Sequence, residues 1–403
     1  MKQSYDIAVI GGGLAGMTQA LLLAQRGWAV ACIDRERPET QTHENYDIRT
    51  TAISWGSRNV LTHAGIWQNL TDKAEAIRHI LIKDEDSPIT LDFFADDIDA
   101  EAFGWIVDNR DLRLALINAL AEEQAFTHIT GADVTNISNH DDRVSITLHN
   151  DTVITASLAI GADGRKSFTR EAMGIGSWEK DYHQSAIVCL IDHDKPHNGM
   201  ALEHFRHQGP FAVLPFTDTE SDRHRSAVVW TVARDEAEQW LQCSDESFTA
   251  ALQARCGDLY GSVTLAGGRA AWPLSVNKAY HYIGERTVLV AEAAHGMHPI
   301  AGQGLNMSLR DIAALTEVLE TVKDPGDAEA LKRYQSMRIA DNLGMVIATD
   351  WLNTLFGFDF AGIRAARRFG LHAVARLPFA KKFFMKQAMG AAGNLPRMIR
   401  EAA

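Results

Sequence analysis

The sequence contains few cysteines and no long apolar run. Its 403 residues include four cysteines, none in a C-x-x-C pair, so neither a disulfide framework nor a thiolate metal site is expected. No uncharged apolar stretch reaches the roughly 18 residues of a membrane-spanning helix, and no signal peptide precedes the first predicted strand. These absences predict a cytoplasmic protein with reduced thiols, for which any membrane contact would be peripheral, at the inner membrane.

Basic residues are also in deficit. The net charge of −13 argues against a general nucleic-acid-binding protein, because no excess of positive charge is available to neutralise phosphates. Residues 361–403 depart from this pattern, with nine Lys or Arg and one Glu, a local charge of +8. Two interpretations stay open for this segment: amphipathic helices that lie on anionic lipid, or a helical bundle with a solvated basic face.

The first 34 residues show a dinucleotide-binding pattern. The apolar run of residues 5–10 predicts a buried parallel strand, and an apolar helix is predicted from about residue 14 to 26. A second strand over residues 28–33 ends in Asp34. Between the first strand and the helix stands a G-x-G-x-x-G motif made by Gly11, Gly13 and Gly16.

Each residue of this motif has a mechanical reason. Gly11 permits a tight turn, Gly13 lets the backbone approach a pyrophosphate, and Gly16 allows close packing of helix and strand. The helix N-terminus offers unpaired N–H groups to phosphates, and Asp34 can accept hydrogen bonds from an adenosine ribose. The motif fits NAD and FAD equally, so later parts of the chain must decide.

Two further motifs follow. In GADGRKSFTR, Gly161, Asp163 and Gly164 predict a turn at a strand end. In VAEAAHGMHPIAGQGLNMSLRD, residues 290–311, a strand leads through a Gly-rich loop into a helix beginning near Leu305. His295 and His298 in this loop have no further ligands at suitable spacing, so no metal site is predicted.

In this order and spacing the three motifs resemble the single-component FAD-dependent aromatic hydroxylases, and most of all the ubiquinone-biosynthesis hydroxylases. Further matches are DIRTTAIS, GWIVDNRDLRLAL, ALEHF followed by GPFAVLPF, and LKRYQSMRIADN. The resemblance runs from residue 4 to about residue 396. It implies that the cofactor is FAD.

The resemblance also implies site residues. The implied cofactor-binding residues are Gly11, Gly13, Leu14, Ala15, Gly16, Asp34, Arg49, Asn109, Arg110, Val134, Asp163, Glu292, Pro299, Gly302, Gly304, Leu305 and Asn306. Pro299 and Gly304 belong to the loop expected to face the flavin during catalysis, and no side chain is assigned as a base. The substrate pocket is expected to be lined by Phe211, Leu214 and Pro215.

One position departs from the family pattern. The third motif usually contains Gly-Asp, but here Ala291 and Glu292 stand in its place. Glu keeps the carboxylate and extends it by one methylene, so its bond to the ribityl chain must be rearranged. Ala291 is expected to have a negative φ, since a Cβ is disfavoured at positive φ. The substitution is interpreted as an adaptation that retains FAD.

The predicted fold class is α/β. A Rossmann-like FAD-binding domain (1–75, 98–180 and 268–345) is interrupted by a mixed-sheet substrate domain (76–97 and 181–267), and C-terminal helices follow (346–403). A long apolar channel is expected in the substrate domain, with walls supplied by Phe205, Phe211, Leu214, Phe216 and Trp230.

The function that the resemblance implies is hydroxylation of the aromatic ring of a polyprenylated phenol in ubiquinone biosynthesis. The reaction would use dioxygen and a flavin 4a-hydroperoxide, with NAD(P)H, ferredoxin or another reductant as electron donor. Other ubiquinone-biosynthesis proteins and a membrane surface are expected as further partners. Two alternatives stay open: hydroxylation of another aromatic substrate, and a non-catalytic scaffold subunit, which the Ala291-Glu292 pair would favour.

Overall fold

The computed structural model describes residues 3–85, 87–219, 223–297, 302–357, 374, 376–391, 393 and 395–401. The described strands are β1 Gln3–Ile10, β2 Val30–Asp34, β3 Thr50–Ser54, β4 Glu75–Ile77, β5 His79–Asp84, β6 Thr90–Phe94, β7 Gly104–Asp108, β8 Phe126–Thr130, β9 Val134–Asn139, β10 Val144–Leu148, β11 Val153–Gly161, β12 Ser177–His193, β13 Met200–Phe205, β14 Phe211–Phe216, β15 His224–Ala233, β16 Val263–Ala279, β17 Ile283–Gly284, β18 Thr287–Leu289 and β19 His295–Gly296. The described α-helices are α1 Leu14–Ala24, α2 Pro38–Gln41, α3 Trp55–His63, α4 Asn109–Glu122, α5 Phe168–Ala172, α6 Arg234–Gln242, α7 Asp245–Cys256, α8 Gln303–Leu319, α9 Ala328–Gly357, α10 Pro378–Ala388 and α11 Arg397–Arg400. Short 3-10 helices lie at Trp67–Asn69, Thr71–Lys73, Ala95–Ile98 and Ala291–Ala293.

A largely parallel sheet forms the first layer. Its strand order is β17-β18-β11-β1-β2-β8, and β9 and β10 attach to β11 as an antiparallel pair. β1 pairs in parallel with both β2 and β11, as a buried apolar strand followed by a helix predicts. Helix α1 packs on this sheet against α4 and α8, and its residues from Gly16 to Ala24 are all buried. The predicted α/β class and the Rossmann-like unit are confirmed.

The second sheet is mostly antiparallel, with strand order β19-β16-β12-β15-β14-β13-β5-β6. Strands β5 and β6, from the predicted 76–97 segment, join the strands that follow residue 177 through a parallel pairing of β5 with β13. Strands β12 and β16 are each 17 residues long and run past the predicted boundaries at 181 and 267. Strands β12 and β16 therefore continue from one predicted domain into the other, with no separate linker between the domains.

The two faces of this second sheet have different neighbours. Side chains at alternate positions of β13, β14 and β15 form a core with α7, which includes Leu202, Phe211, Trp230 and Phe248. The intervening positions, such as Ala201 and Leu214, face the opposite way and pack in a cluster with Phe93 and Met385. A small antiparallel sheet, β3-β7-β4, contacts β14 of the second sheet through β4 and β7.

The carboxyl-terminal helices pack back onto the rest of the chain. Helix α11 contacts α3 and α8, and α10 contacts the 3-10 helix Ala95–Ile98. Helix α9 continues across the predicted boundary at residue 346. No described helix is both long and apolar enough to cross a membrane.

Candidate active site

A cavity of about 2170 Å³ extends from the first sheet to the second. We call its first part the cofactor end, lined by residues 10–15, 33–36, 162–166 and 302–306. We call its second part the substrate end, lined by cavity-facing residues of β5, β6, β13, β14 and β15. The two ends are continuous, so a group held at one end can reach a molecule held at the other.

The glycines of the first motif divide into two classes. Gly11 has a φ of +106°, and a Cβ there would clash with the backbone of Ala162. A Cβ at Gly16 would clash with the Gly11 carbonyl, so these two positions require glycine for packing alone. Gly13 differs, because a Cβ there would meet no protein atom within 4 Å. Gly13 therefore faces open space in the cavity, as a position approached by a ligand would.

Two helix N-termini meet this cavity without a side-chain cap. Helix α1 begins after Gly13, and helix α8 begins after Gly302, whose φ is +62°. Gly304, in the first turn of α8, also faces open space, since a Cβ added there would meet no atom within 4 Å. Uncapped N–H groups attract anionic or acceptor groups, so both helices fit a phosphate-bearing cofactor.

Asp34 is fixed at the end of β2. Its Oδ1 accepts from the backbone N–H of Glu36 at 3.0 Å, and its Oδ2 accepts from Gln41 Nε2 at 2.7 Å. The residue is buried and lines the cavity. The sequence did not single out Gln41, which holds the carboxylate in place.

A network around Asp47 joins two of the predicted residues. Arg49 Nε donates to Asp47 Oδ1 at 2.7 Å, and Asn109 Nδ2 donates to Asp47 Oδ2 at 3.1 Å. Arg113 adds a further bond to the same carboxylate at 3.3 Å. Burial would raise the pKa of Asp47, but the bonds from Arg49 and Asn109 lower it to about 2. The sequence reasoning missed Asp47 and Arg113, although Asp47 stands two residues before Arg49 in the DIRTTAIS motif.

Other predicted cofactor residues lie at different places. Leu14, Ala15 and Val134 line the cavity. Arg110 is exposed and lies outside the cavity lining, because its guanidinium group bonds to the Thr42 carbonyl. The structure therefore brings Asn109 to the site and turns its neighbour Arg110 away.

Asp163 is engaged within its own turn. Its Oδ1 accepts from Ser167 Oγ at 2.5 Å, and its Oδ2 accepts from the N–H and the hydroxyl of Thr169 at 2.9 and 3.0 Å. The carboxylate thereby fixes the start of α5. Residues 163–166 of this turn line the cavity, and the Asp163 carboxylate is already engaged within the turn.

The expectation for Ala291 is wrong. Its φ is +56°, in the left-handed region, at a cost of about 1–2 kcal/mol for a residue with a Cβ. The backbone N–H of Ala291 donates to Asp311 Oδ2 at 3.0 Å. This bond to a buried carboxylate holds the turn in the conformation that a glycine would adopt without strain.

Asp311 is the centre of a buried polar cluster. His295 Nε2 and Arg338 Nε both donate to its carboxylate, the latter at 2.7 Å, and Asn342 Nδ2 donates at 3.2 Å. Burial would raise the pKa of Asp311, yet His295 and Arg338 bring it well below the ordinary carboxyl range. His295 thus has a structural role, and no group of described residues has the composition of a metal site.

Glu292 faces the cavity from the other side of this turn. Arg165 Nε donates to Glu292 Oε1 at 3.0 Å, and Arg165 Nη1 also donates to the Ser275 carbonyl at 2.8 Å. The Glu292 side chain is 45% exposed, so the longer carboxylate reaches open space while an arginine neutralises it. The carboxylate that the motif normally supplies is therefore present at the cavity.

The start of α8 is anchored by Asn306. Its Oδ1 accepts from the Ser54 N–H at 3.0 Å, and its Nδ2 donates to the carbonyls of Ala52 and Gly302 at 2.9 and 3.0 Å. Leu305 lines the cavity beside it. Pro299 and His298 lie outside the described residues.

At the substrate end, strand alternation decides which residues face the cavity. Leu214 lines the cavity together with Ala212, whereas Phe211 is buried in the core on the opposite face. Pro215 is also absent from the cavity lining. Of the expected channel walls, Phe205 lines the cavity, while Trp230 belongs to the opposite core.

The sequence reasoning missed the contribution of helix α10. Phe383, Phe384, Met385 and Gln387 of this helix line the cavity, and Met385 packs with Phe93 and Ala201. The sequence shows this apolar face within the basic tail, but the two interpretations of that tail, lipid contact or a solvated face, do not include a contact with the cavity.

The comparisons with known proteins agree with this geometry. Residues 4–346 match the family described as FAD binding domain. The chain is 40% identical over 392 residues to ubiquinone hydroxylase UbiL of Rhodospirillum rubrum, covering 96% of this chain and 89% of that one. It is 32% identical to the 3-demethoxyubiquinol 3-hydroxylase of Escherichia coli, covering 96% and 99% of the two chains.

A solved structure shows the same fold. The p-nitrophenol 4-monooxygenase PnpA of Pseudomonas putida superposes with a TM-score of 0.80 at 15% identity, covering 98% of this chain and 100% of that one. The uncapped helix N-termini and the open glycines fit FAD, which is the cofactor of this family. The chain belongs to the FAD binding domain family and, within it, to the group of flavoprotein monooxygenases that includes the ubiquinone hydroxylases.

Proposed function

We propose that this protein hydroxylates the aromatic ring of a polyprenylated phenol in ubiquinone biosynthesis, with FAD as cofactor. The observation that carries the proposal is the continuity of the cofactor end with a large apolar substrate end. Among the described residues of β5, β6, β13, β14 and β15 that line the cavity, there is no Arg or Lys. A site for an aromatic acid would need such a cation, whereas a prenylated ring needs apolar walls.

In this proposal the chain's own residues hold FAD along the cofactor end. The backbone at Gly13, Leu14 and Ala15 holds the pyrophosphate, and Asp34 accepts hydrogen bonds from the adenosine ribose. The remaining contacts come from Arg49, Asn109, Val134, Asp163, Glu292, Gly302, Gly304, Leu305 and Asn306. Pro299, outside the described residues, is proposed as a further contact from the sequence alone. Gly16 acts through its packing against Gly11.

When bound, FAD supplies the redox chemistry, taking electrons from NAD(P)H, ferredoxin or another reductant and activating dioxygen. The protein orients the ring, excludes water with the apolar walls of the substrate end, and favours negative charge on the cofactor through the N-terminus of α8. The Asp311 cluster positions the Ala291-Glu292 turn at the wall of the cavity.

The proposal is tested with purified protein supplied with FAD, a reductant and 2-geranylphenol in air. We expect a flavin spectrum that is bleached by the reductant and restored by air, together with an oxygenated product. The matched control is 4-hydroxybenzoate, an aromatic acid without the prenyl chain. Turnover of the acid alone would favour another aromatic substrate, and absence of saturable FAD binding would favour the scaffold alternative.

We further propose that α10 places the cavity against an anionic membrane. Phe379 is 74% exposed, Phe383 and Phe384 are also exposed, and the exposed Lys382 and Lys386 lie on the same helix. Apolar and basic side chains together are typical of interfacial helices, and Phe383 and Phe384 also line the cavity. A lipophilic phenol could then enter without crossing water.

Sedimentation with liposomes tests this contact. We expect retention on vesicles containing phosphatidylglycerol at low salt, release at high salt, and weaker retention of Phe379→Ser. The control is Tyr280→Ser, which changes an aromatic residue that is 57% exposed outside α10. Equal loss in both variants, or no retention of the unmodified protein, would contradict the proposal.

A further inference from the structure

Strand β13 contributes an ionisable side chain, Glu203, to the substrate end of the cavity. Glu203 of β13 lies opposite Ala212 of β14 and opposite Ile82 of β5 in the strand register. All three line the cavity, and Val229, which is opposite Ala212, extends the same row. Among the described cavity-lining residues of β5, β6, β13, β14 and β15, Glu203 is the only one that can carry a charge.

The side chains next to Glu203 on β13 point to the opposite face of the sheet. Leu202 belongs to the core on the opposite face, and His204 Nε2 donates to the Glu85 carbonyl at 3.0 Å. Within the described part of the chain, the Glu203 carboxyl group has no hydrogen-bond or ion-pair partner. Carboxyl groups that stabilise a fold are normally hydrogen-bonded, so a purely structural role leaves this side chain unexplained.

Its surroundings set its protonation. Burial among apolar groups raises the pKa of Glu203 from 4.5 to about 7, and no neighbouring charge contributes to the shift. Across the cavity, α10 presents side chains that do not titrate, namely Phe383, Phe384, Met385, Gln387 and Ala388. The carboxyl group is therefore partly ionised near neutral pH, the range in which a general base works best.

We propose that Glu203 is a catalytic residue that accepts the proton of the substrate's ring hydroxyl as the ring is hydroxylated. The inference rests on the proposed function, because it assigns a group to the phenol of that reaction. A carboxylate among apolar side chains would also select a substrate that brings a hydroxyl group to that point, because no protein donor among the described residues is present to satisfy it.

The step is a proton transfer without change of oxidation state. The phenol O–H bond breaks, a carboxyl O–H bond forms on Glu203, and the electron pair left on the phenol oxygen raises the electron density of the ring. A ring of higher electron density reacts faster with an electrophilic oxygen of the kind that the cofactor, when bound, would supply. The proton leaves Glu203 to solvent once the product departs.

The experiment compares Glu203→Gln with Glu122→Gln in the FAD-loaded protein, using 2-geranylphenol. Glu122 is an exposed residue of α4 outside the cavity, so its variant should match the unmodified protein. For the unmodified protein we expect kcat/KM to rise with pH and level off above about pH 7. Glu203→Gln should lower kcat/KM at pH 8 by about 100-fold and remove the inflection near pH 7.

Binding gives a second readout that does not require turnover. The carboxylate should favour 2-geranylphenol over its methyl ether by about 10-fold or more at pH 8, since the ether has no proton to donate to a charged acceptor. This preference should decrease at pH 5.5, where Glu203 is protonated, and should be small in Glu203→Gln. The measurement in the unmodified protein remains informative even if the variant fails to fold.

The outcomes separate the two proposals. If the unmodified protein hydroxylates 2-geranylphenol and Glu203→Gln retains its rate and pH profile, the role of Glu203 is wrong and the proposed function stands. If the unmodified protein does not hydroxylate any prenylated phenol, the proposed function fails first. A large loss in Glu203→Gln at every pH, with no loss of the preference for phenol over ether, would also overturn the role as base.

Discussion

The two ends of the cavity are built in different ways. At the cofactor end the lining includes glycines and two helix N-termini together with side chains such as Asp34 and Glu292, while Asp163 and Asn306 hold the backbone in place. At the substrate end the surface is formed by residues of the second sheet and of α10. In the proposals above, FAD is bound at one end largely by main-chain groups, and the substrate is bound at the other by apolar side chains and the Glu203 carboxyl group.

This difference predicts how each end responds to substitution. A backbone site is sensitive to an added Cβ, because the ligand approaches the main chain directly. A side-chain site on a two-faced sheet is sensitive to which face a residue occupies, because neighbouring positions belong to different cores. Variants chosen by these rules should therefore separate folding, cofactor binding and substrate binding.

The largest expected change in stability comes from comparing substitutions on the two faces of β14. Phe211→Ala should reduce the free energy of unfolding by about 3–5 kcal/mol, because Phe211 is fully buried in the core opposite the cavity. Leu214→Ala removes a cavity wall, so it should raise the KM for 2-geranylphenol by about fivefold through lost apolar contact. Urea unfolding and steady-state kinetics on both variants make the comparison.

The prediction is contradicted if Phe211→Ala raises KM and Leu214→Ala lowers stability instead. A raised KM with unchanged stability in Phe211→Ala would mean that Phe211 contacts the substrate, as the sequence alone suggested. Leu214→Ala should cost less stability than Phe211→Ala, since Leu214 is only partly buried.

An intermediate effect is expected for Gly13→Ala. The added Cβ meets no protein atom, and the φ of −72° suits alanine, so the apoprotein should unfold within about 0.5 kcal/mol of the unmodified protein. FAD affinity should fall by about 10–100-fold, because main-chain bonds to a charged phosphate contribute about 1.5–3 kcal/mol. Flavin absorbance titration and urea unfolding of the apoprotein measure the two quantities.

Gly27→Ala is the matched control for this variant. Gly27 has a φ of +86° after α1 and also has no atom near its Cβ position, but it lies outside the cavity lining. Its replacement should reduce stability by about 1 kcal/mol with FAD affinity unchanged. A loss of FAD affinity in both variants would show that Gly13 acts through the fold and not through contact with the cofactor.

The difference between the two ends of the cavity also explains which features the sequence could predict. Gly11, Gly13, Gly16 and Asp34 lie within one short segment, so local spacing was enough to predict the turn, the helix and the acid that ends β2. The alternation of β14 leaves two buried apolar faces, and a sequence does not say which one meets a cavity. That ambiguity placed Phe211 in the substrate pocket.

Other features depend on contacts between distant segments. The role of Asp47 depends on its hydrogen bonds with Asn109 and Arg113, which lie more than 60 residues away in the sequence. Glu203 stands out only because the described cavity-facing positions of the neighbouring strands carry no charge. The positive φ of Ala291 was not expected, because the residue type argues against it and only the bond to Asp311 shows how the turn is held.

The smallest expected effect concerns that strained turn. Ala291 and Ala294 are both buried alanines of the same turn, but Ala291 has a φ of +56° while Ala294 has a φ of −88°. Ala294→Gly loses a buried methyl group and adds disorder to the unfolded chain, a combined cost of about 1.5 kcal/mol. Ala291→Gly has the same costs but also relieves about 1–2 kcal/mol of backbone strain, so its stability should stay within about 0.5 kcal/mol of the unmodified protein.

The difference between the two glycine variants therefore measures the strain at Ala291. Urea unfolding of both apoproteins, side by side, should place Ala291→Gly about 1–2 kcal/mol above Ala294→Gly. Equal losses in the two variants would mean that Ala291 is unstrained and has a negative φ in solution. In that case Glu292 would approach the cavity differently, and its pairing with Arg165 would have to be redetermined. A clear difference would mean that this chain tolerates a strained alanine where a glycine is usual. The buried carboxylate of Asp311 would then be what holds the turn in this conformation at the cavity.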